Sequence, residues 1–198
     1  MTTAQTCSII KVGKDRMAGG YFDSYRGFRD PIHGFIKVYD AERDIINTPA
    51  FQRLRRIKQL GLTCLVYHGA DHTRFAHSLG VMELATRVFE TTLLKDQNGD
   101  KVLKWKNKKE INRNKVLVRL VALLHDIGHA PFSHASEELF PKGLNHEIYS
   151  AKIVTEDIEL ESIINGLKDR FNVDITTEDV KNFLLKREFG EPFLQQII

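Results

Sequence analysis

Only two cysteines occur in the 198 residues, Cys7 and Cys64, and they lie far apart. Their number and spacing argue against a disulfide framework and against a thiolate metal cage, which needs closely spaced cysteine pairs. Long hydrophobic runs are missing too: no stretch approaches the roughly 20 apolar residues that cross a bilayer. The N-terminus lacks the cationic flank and apolar core of a secretory signal, so the expected location is cytoplasmic, with no membrane partner. A strong charge of one sign is also absent. The net charge of +3 is too small to imply nucleic-acid binding on its own. What remains is a globular composition, 42% hydrophobic and 28% charged, long enough for one domain with a real core.

The charge is unevenly placed. Residues 95–115 carry eight Lys or Arg against three acids, a local +5 that leaves the rest of the chain near −2. This segment reads as a solvated loop around an Asn98-Gly99 turn, with Val102 and Trp105 pinning it down. Contact with nucleic acid is the alternative reading of the same charge.

Residues 1–27 show no sustained period and read as an N-terminal arm. FRDPIHGFIKVYD (28–40) alternates after Gly34 and predicts a short hairpin. TPAFQRLRRIKQLG predicts a helix with Thr48 as N-cap, Pro49 at its first position and Gly61 at its end. Its inner face would be Phe51, Leu54, Ile57 and Leu60. A second helix is expected from about Thr73 to Leu94, with Leu84 and Val88 inward. A third, at 114–127, is almost wholly apolar and should be central. Shorter helices are expected near 134–140, 145–155, 158–168 and 178–187, the last with Thr176 and Asp179 as its capping pattern. The fold class is therefore all-α with a small β-hairpin near the N-terminus.

HDIGHAPFSH, at 125–134, places three of the chain's eight histidines and an aspartate directly after the apolar run LVALL. His129 follows His125 by four residues, a spacing that keeps both on one side of a helix end. His77 stands on the second helix, and His146 with Glu147 opens another. Imidazole and carboxylate are the donors for a borderline divalent metal. Helix capping and core hydrogen bonding are the competing explanation for the same residues.

RFAHSLG (74–80), HDIGHAPFSH and NHE (145–147) resemble the HD-domain metal-dependent phosphohydrolases. DPIHG (30–34) and FQRLRRIKQLG (51–61) narrow the resemblance to the deoxynucleoside triphosphate triphosphohydrolase branch, which includes the sterile-alpha-motif and HD-domain enzyme. The resemblance runs from residue 28 to the C-terminus. It implies an HD domain over 28–198 that hydrolyses deoxynucleoside triphosphates to deoxynucleoside and intact triphosphate. It implies His77, His125 and Asp126 as metal ligands, for a Mn, Fe, Zn, Ni or Mg ion. His129, His134 and His146 would be catalytic, His146 oriented by Glu147 or paired with Glu137. Arg74 would contact a phosphate and Gln59 the deoxyribose hydroxyl. Homo-oligomers are a further expectation from the resemblance.

In that family a fourth ligand, an aspartate, comes from a helix beyond the position of residue 198. Phe193, Leu194, Ile197 and Ile198 form an apolar pattern with no helix stop. The chain is therefore expected to be the N-terminal portion of a longer protein, with Asp71 or Glu137 as conceivable substitutes for the ligand. Two rival readings stay open. One is an HD phosphohydrolase for another nucleotide: a monophosphate, a cyclic nucleotide or a guanosine polyphosphate. The other is an inactive regulatory or nucleic-acid-binding module.

Overall fold

Gly34, at φ +77°, turns the chain between strand β2 (Ser24–Asp30) and strand β3 (Gly34–Tyr39), a backbone conformation that favours glycine. The computed structural model describes residues 10–14, 20–95, 107–187 and 194–198. β2 pairs antiparallel with β3 from Tyr25↔Tyr39 to Asp30↔Gly34, as the hairpin reading expects. A further strand, β1 (Ile10–Lys14), pairs with β2, so the sheet has three strands and part of the expected arm belongs to it.

Helix α1 (Asp40–Asn47) follows β3 at once, where the sequence reading has no helix. DAERDIIN is mostly polar, and it is anchored by a group that ordinarily avoids the core. Glu42 is fully buried and its Oε2 accepts the Tyr39 backbone N–H at 3.0 Å, closing the first turn. The same carboxylate receives two hydrogen bonds from Arg119, Nε at 2.6 Å and Nη2 at 2.7 Å, and one from the Tyr21 hydroxyl at 3.1 Å. Arg119 also donates to Thr86 Oγ1 at 2.6 Å and to the Lys37 carbonyl at 2.7 Å. One ion pair thus ties the sheet, α1 and the two long helices together.

Burial and the nearby Glu42 charge raise the Tyr21 phenol, and burial pushes Tyr39 up to about 12, against the pull of Arg119. Both phenols stay protonated in the fold above pH 10, where those of an unfolded chain ionise. This contribution to stability is complete below pH 10 and is lost as the pH rises through about 12. In an alkaline titration, the last tyrosinate absorbance should appear together with loss of helical circular dichroism. Complete ionisation with the helical signal intact would contradict this.

The expected helix over 48–61 is shorter than its pattern. Thr48 caps α2 (Pro49–Gln52) as expected, its Oγ1 accepting from the Phe51 N–H at 3.3 Å, but a 3-10 turn follows at Arg53–Arg56 and Ile57 is extended. The backbone leaves the helix because it pairs with the chain entering the next one. Gln59 N–H donates to the His72 carbonyl at 3.1 Å, and Arg74 N–H to the Ile57 carbonyl at 2.9 Å. Phe51, Leu54 and Ile57 are buried as predicted, whereas Leu60, beyond the helix, is 47% exposed.

The two long helices, α3 (Arg74–Lys95) and α4 (Lys108–Leu124), pack against each other. On α3 the inward residues are Phe75, Leu79, Met82, Ala85 and Phe89, stepping by three and four. Leu84 and Val88 lie on the flank of that stripe and are half-exposed, contrary to expectation. On α4 every residue from Val116 to Leu124 is buried, so this is the central helix foreseen.

Residues 107–115, read as loop, are its N-cap and first turns. Asn107 caps Glu110, Arg113 pairs with Asp179 and Lys115 with Glu90. The Asn98-Gly99 turn, Val102 and Trp105 lie outside the described residues.

A 3-10 segment (Ser133–Leu139) leads to α5 (His146–Glu156), α6 (Ile158–Asn165), α7 (Leu167–Phe171) and α8 (Thr177–Leu184). The predicted 158–168 helix is thus two, parted at Gly166, and α8 stops before Lys186, which is left-handed. Thr176 and Asp179 do form the predicted capping box. Among the described residues, no helix is long and apolar enough to cross a membrane.

Candidate active site and metal centre

Two helix ends build the centre. The first turn of α3 carries His77, and the C-terminal end of α4 delivers His125 and Asp126. His77 Nε2 lies 3.5 Å from Asp126 Oδ2, and His125 Nε2 lies 3.4 Å from Asp126 Oδ1. The three side chains offer ligand atoms within 4.8 Å of one another. His125 Nδ1 is 2.8 Å from the Ala122 carbonyl, which orients the ring and leaves Nε2 free for a ligand role. Burial lowers the His77 pKa, favouring the neutral imidazole that can coordinate. Burial opposes the charge on Asp126, yet the His129 hydrogen bond and the charges of His125 and Arg74 hold its carboxyl well below the usual range. Two imidazoles and one ionised carboxylate suit a divalent ion.

The turn after Asp126 is clamped from both sides. Ser150 Oγ, on α5, accepts from the Gly128 N–H at 2.8 Å and donates to the His125 carbonyl at 2.7 Å. A Cβ at Gly128 would collide with the His146 carbonyl and the Ser150 amide, so only glycine lets α5 come this close. From the other side Arg53 donates to the His129 carbonyl at 2.7 Å and to the Ile127 carbonyl. Arg53 is not on the inner face expected for its helix, and nothing among the four basic residues between positions 53 and 58 marks the one that turns inward.

Beside this centre lies a second cluster. His129, 1% exposed, stacks on His146 with ring centroids 3.9 Å apart and planes at 15°. Glu137 Oε1 lies 2.9 Å from His134 Nδ1 and 2.7 Å from His146 Nδ1. His146 is therefore oriented by Glu137; Glu147 instead lines a small cavity of about 90 Å³ with His125, His146 and Phe183.

Phe132 and Ser133 sit at φ +67° and +59°, a left-handed pair of non-glycine residues immediately before His134. Such a backbone persists only where its surroundings hold it. Here Ser133 Oγ donates to the Gln59 carbonyl at 3.1 Å and accepts from Arg74, while Gly61, itself left-handed, lies close against the Phe132 carbonyl.

Arg74 is buried, and its guanidinium donates to Asp126 and Ser133. Its Nε and the Gln59 Oε1 are buried with no hydrogen-bond partner, as is His129 Nδ1. Buried polar groups are seldom left unpaired, so these atoms mark places for a ligand or water. Neither conceivable substitute completes the metal set: Asp71 is exposed and paired with Lys58 at 2.7 Å, and Glu137 belongs to the second cluster.

The HD domain family matches residues 74–192, which span His77, the His125-Asp126 pair and the second cluster. The chain belongs to the HD-domain family. The uncharacterized protein YwfO of Bacillus subtilis (strain 168) is 37% identical over 169 residues, 85% of this chain and 36% of that protein. The deoxynucleoside triphosphate triphosphohydrolase SAMHD1 of Danio rerio is 41% identical over 147 residues, 71% of this chain and 22% of that protein. A hypothetical protein from Aquifex aeolicus has a crystal structure that superposes with a TM-score of 0.63 at 36% identity, over 88% of this chain and 42% of that one. The chain thus spans little more than a third, or less, of the curated relatives named here. HD domains bind divalent metals, and in this HD domain the donor set of His77, His125 and Asp126 could hold one.

Proposed function

We propose that this HD domain hydrolyses deoxynucleoside triphosphates to deoxynucleoside and intact triphosphate. The observation that carries the proposal is the contact between a metal-ligand set and an imidazole–carboxylate relay. Asp126 lies 3.4 Å from His129, and His129 stacks on His146, so the two clusters form one continuous wall. Similarity to SAMHD1 supports the nucleotide substrate.

A divalent ion held by His77, His125 and Asp126 would supply Lewis acidity toward a phosphate oxygen and the attacking water. The residues themselves supply positioning and proton transfer. Glu137 accepts from both Nδ1 atoms, which fixes His134 and His146 as tautomers with Nε2 available. Water attacks the α-phosphorus and the bond from phosphorus to the 5′ oxygen breaks. His146 Nε2 takes the proton lost by the water and that same proton goes on to the 5′ oxygen, so the proton count closes. His134, the more exposed ring, is the second Nε2 that can relay it. Arg74 Nε would donate to a phosphate oxygen, and Gln59 Oε1 would accept from the deoxyribose hydroxyl.

The test is chromatographic product analysis with each of the four deoxynucleoside triphosphates and Mn²⁺. Deoxynucleoside and triphosphate should appear, and a His125→Ala/Asp126→Ala variant should produce neither. Release of monophosphate and pyrophosphate would overturn the assignment of the bond broken. Absence of turnover both in this chain and in a C-terminally extended one would overturn the activity.

A further inference from the structure

The relay has a property that proton transfer alone does not require: two imidazoles aim the same nitrogen at one carboxylate oxygen. We infer that His134, Glu137 and His146 form a second cation site, suited to a borderline ion such as zinc, and that filling it silences the relay. The regulatory half of this inference rests on the proposed function; the binding half does not.

The ring geometry selects the ligands. A cation bound to imidazole lies close to the plane of the ring. His129 and His146 are nearly parallel and 3.9 Å apart, so one ion cannot lie in both planes. His129 is therefore the floor of the site and not a ligand, although it stands within reach of the other three. His134 and His146 are inclined at 74° with centroids 5.2 Å apart, and their Nδ1 atoms converge on Glu137.

The present separations of 2.9 and 2.7 Å are those of hydrogen bonds. Bond lengths of about 2.0–2.2 Å to zinc place neighbouring donors about 3.3 Å apart, so the trio must open by about half an ångström. His134 can move that far: it is 71% exposed and stands on a short 3-10 segment. Two nitrogens and one oxygen, with solvent completing the shell, suit zinc, cobalt or nickel. Magnesium and calcium favour all-oxygen sets.

Binding needs no change in the proton count. In each neutral imidazole the proton moves from Nδ1 to Nε2, which frees the Nδ1 lone pair for the ion. An Nε2 that carries a proton cannot accept another, so His146 loses its capacity as a base.

The experiment titrates the full chain with Co²⁺, followed by visible absorption, and with Zn²⁺ by calorimetry. The wild type should take up a second equivalent beyond the one held by His77, His125 and Asp126. His134→Ala and Glu137→Gln should each weaken that second event by about 10-fold or more. His125→Ala/Asp126→Ala should lose the first event and keep the second. Far-UV circular dichroism verifies that the variants are folded.

A single equivalent in the wild type, or a second one unchanged in both variants, overturns the site. Zinc beyond the first equivalent should depress turnover; turnover that persists with both sites filled overturns the regulatory half. A chain that binds the second ion yet hydrolyses no deoxynucleoside triphosphate confirms the site and counts against the proposed function, so the two failures are distinct.

Discussion

Replacing Arg119 with Met should lower stability by about 3–5 kcal/mol, because it leaves the Glu42 carboxylate buried without its cation. Glu42 has no exposed surface, and its remaining partners are the Tyr21 hydroxyl and the Tyr39 N–H, neither of which supplies charge. The variant also removes the guanidinium's hydrogen bonds to Thr86 Oγ1 and the Lys37 carbonyl. Removing both charges, as Glu42→Gln/Arg119→Met, should cost less than Arg119→Met alone, because no bare charge stays in the core. It should not reach wild-type stability, since Glu42 closes the first turn of α1 as well. Denaturant unfolding of the singles and the double gives the coupling directly. Equal stability of the wild type and Arg119→Met would show that the carboxylate is hydrated or protonated in the fold.

This ion pair also shows where sequence reading stops. α4 was legible because eight of the nine successive buried residues from Val116 to Leu124 are apolar, Arg119 being the exception, and the His125–His134 string was legible because its chemistry is contiguous in the chain. The expected metal trio does converge, joined by a residue some fifty positions upstream. α1 was not legible: its pattern is polar, and the charge that completes its anchor stands 77 residues away on another helix.

Orientation errors have the same origin. Leu84 and Val88 are apolar and helical, but the inward stripe is set by what α3 meets on α4, which no local pattern records. For His146 the sequence offers two carboxylates, Glu147 as its neighbour and Glu137 through the family resemblance, and nothing local chooses between them. The 3-10 segment brings Glu137, nine positions earlier, beneath both His134 and His146. Arg53 and Gly128 carry no local signal at all. One is a basic residue among basic residues, and the other looks like an ordinary helix end.

Gly128→Ala should therefore damage both the fold and the site. The added methyl meets backbone, the His146 carbonyl and the Ser150 amide, and neither can rotate away as a side chain would. The N-terminal turn of α5 must move, at a cost of about 1–3 kcal/mol or somewhat more, as for overpacking elsewhere. That movement breaks the Ser150 clamp on the Asp126 turn and carries His146 away from Glu137. Under the proposed function His146 transfers a proton, and a displacement of it near 1 Å should lower turnover by about 100-fold.

The two effects separate by measurement. Metal uptake at His77, His125 and Asp126 reads the α4 end, and denaturant unfolding reads the packing of α5. Ser150→Ala is the informative companion, because it removes the clamp and adds no atom. It should weaken metal uptake without the overpacking cost of Gly128→Ala. If Gly128→Ala matched the wild type in stability, uptake and turnover, the close approach of α5 to the Asp126 turn would have no part in shaping the site.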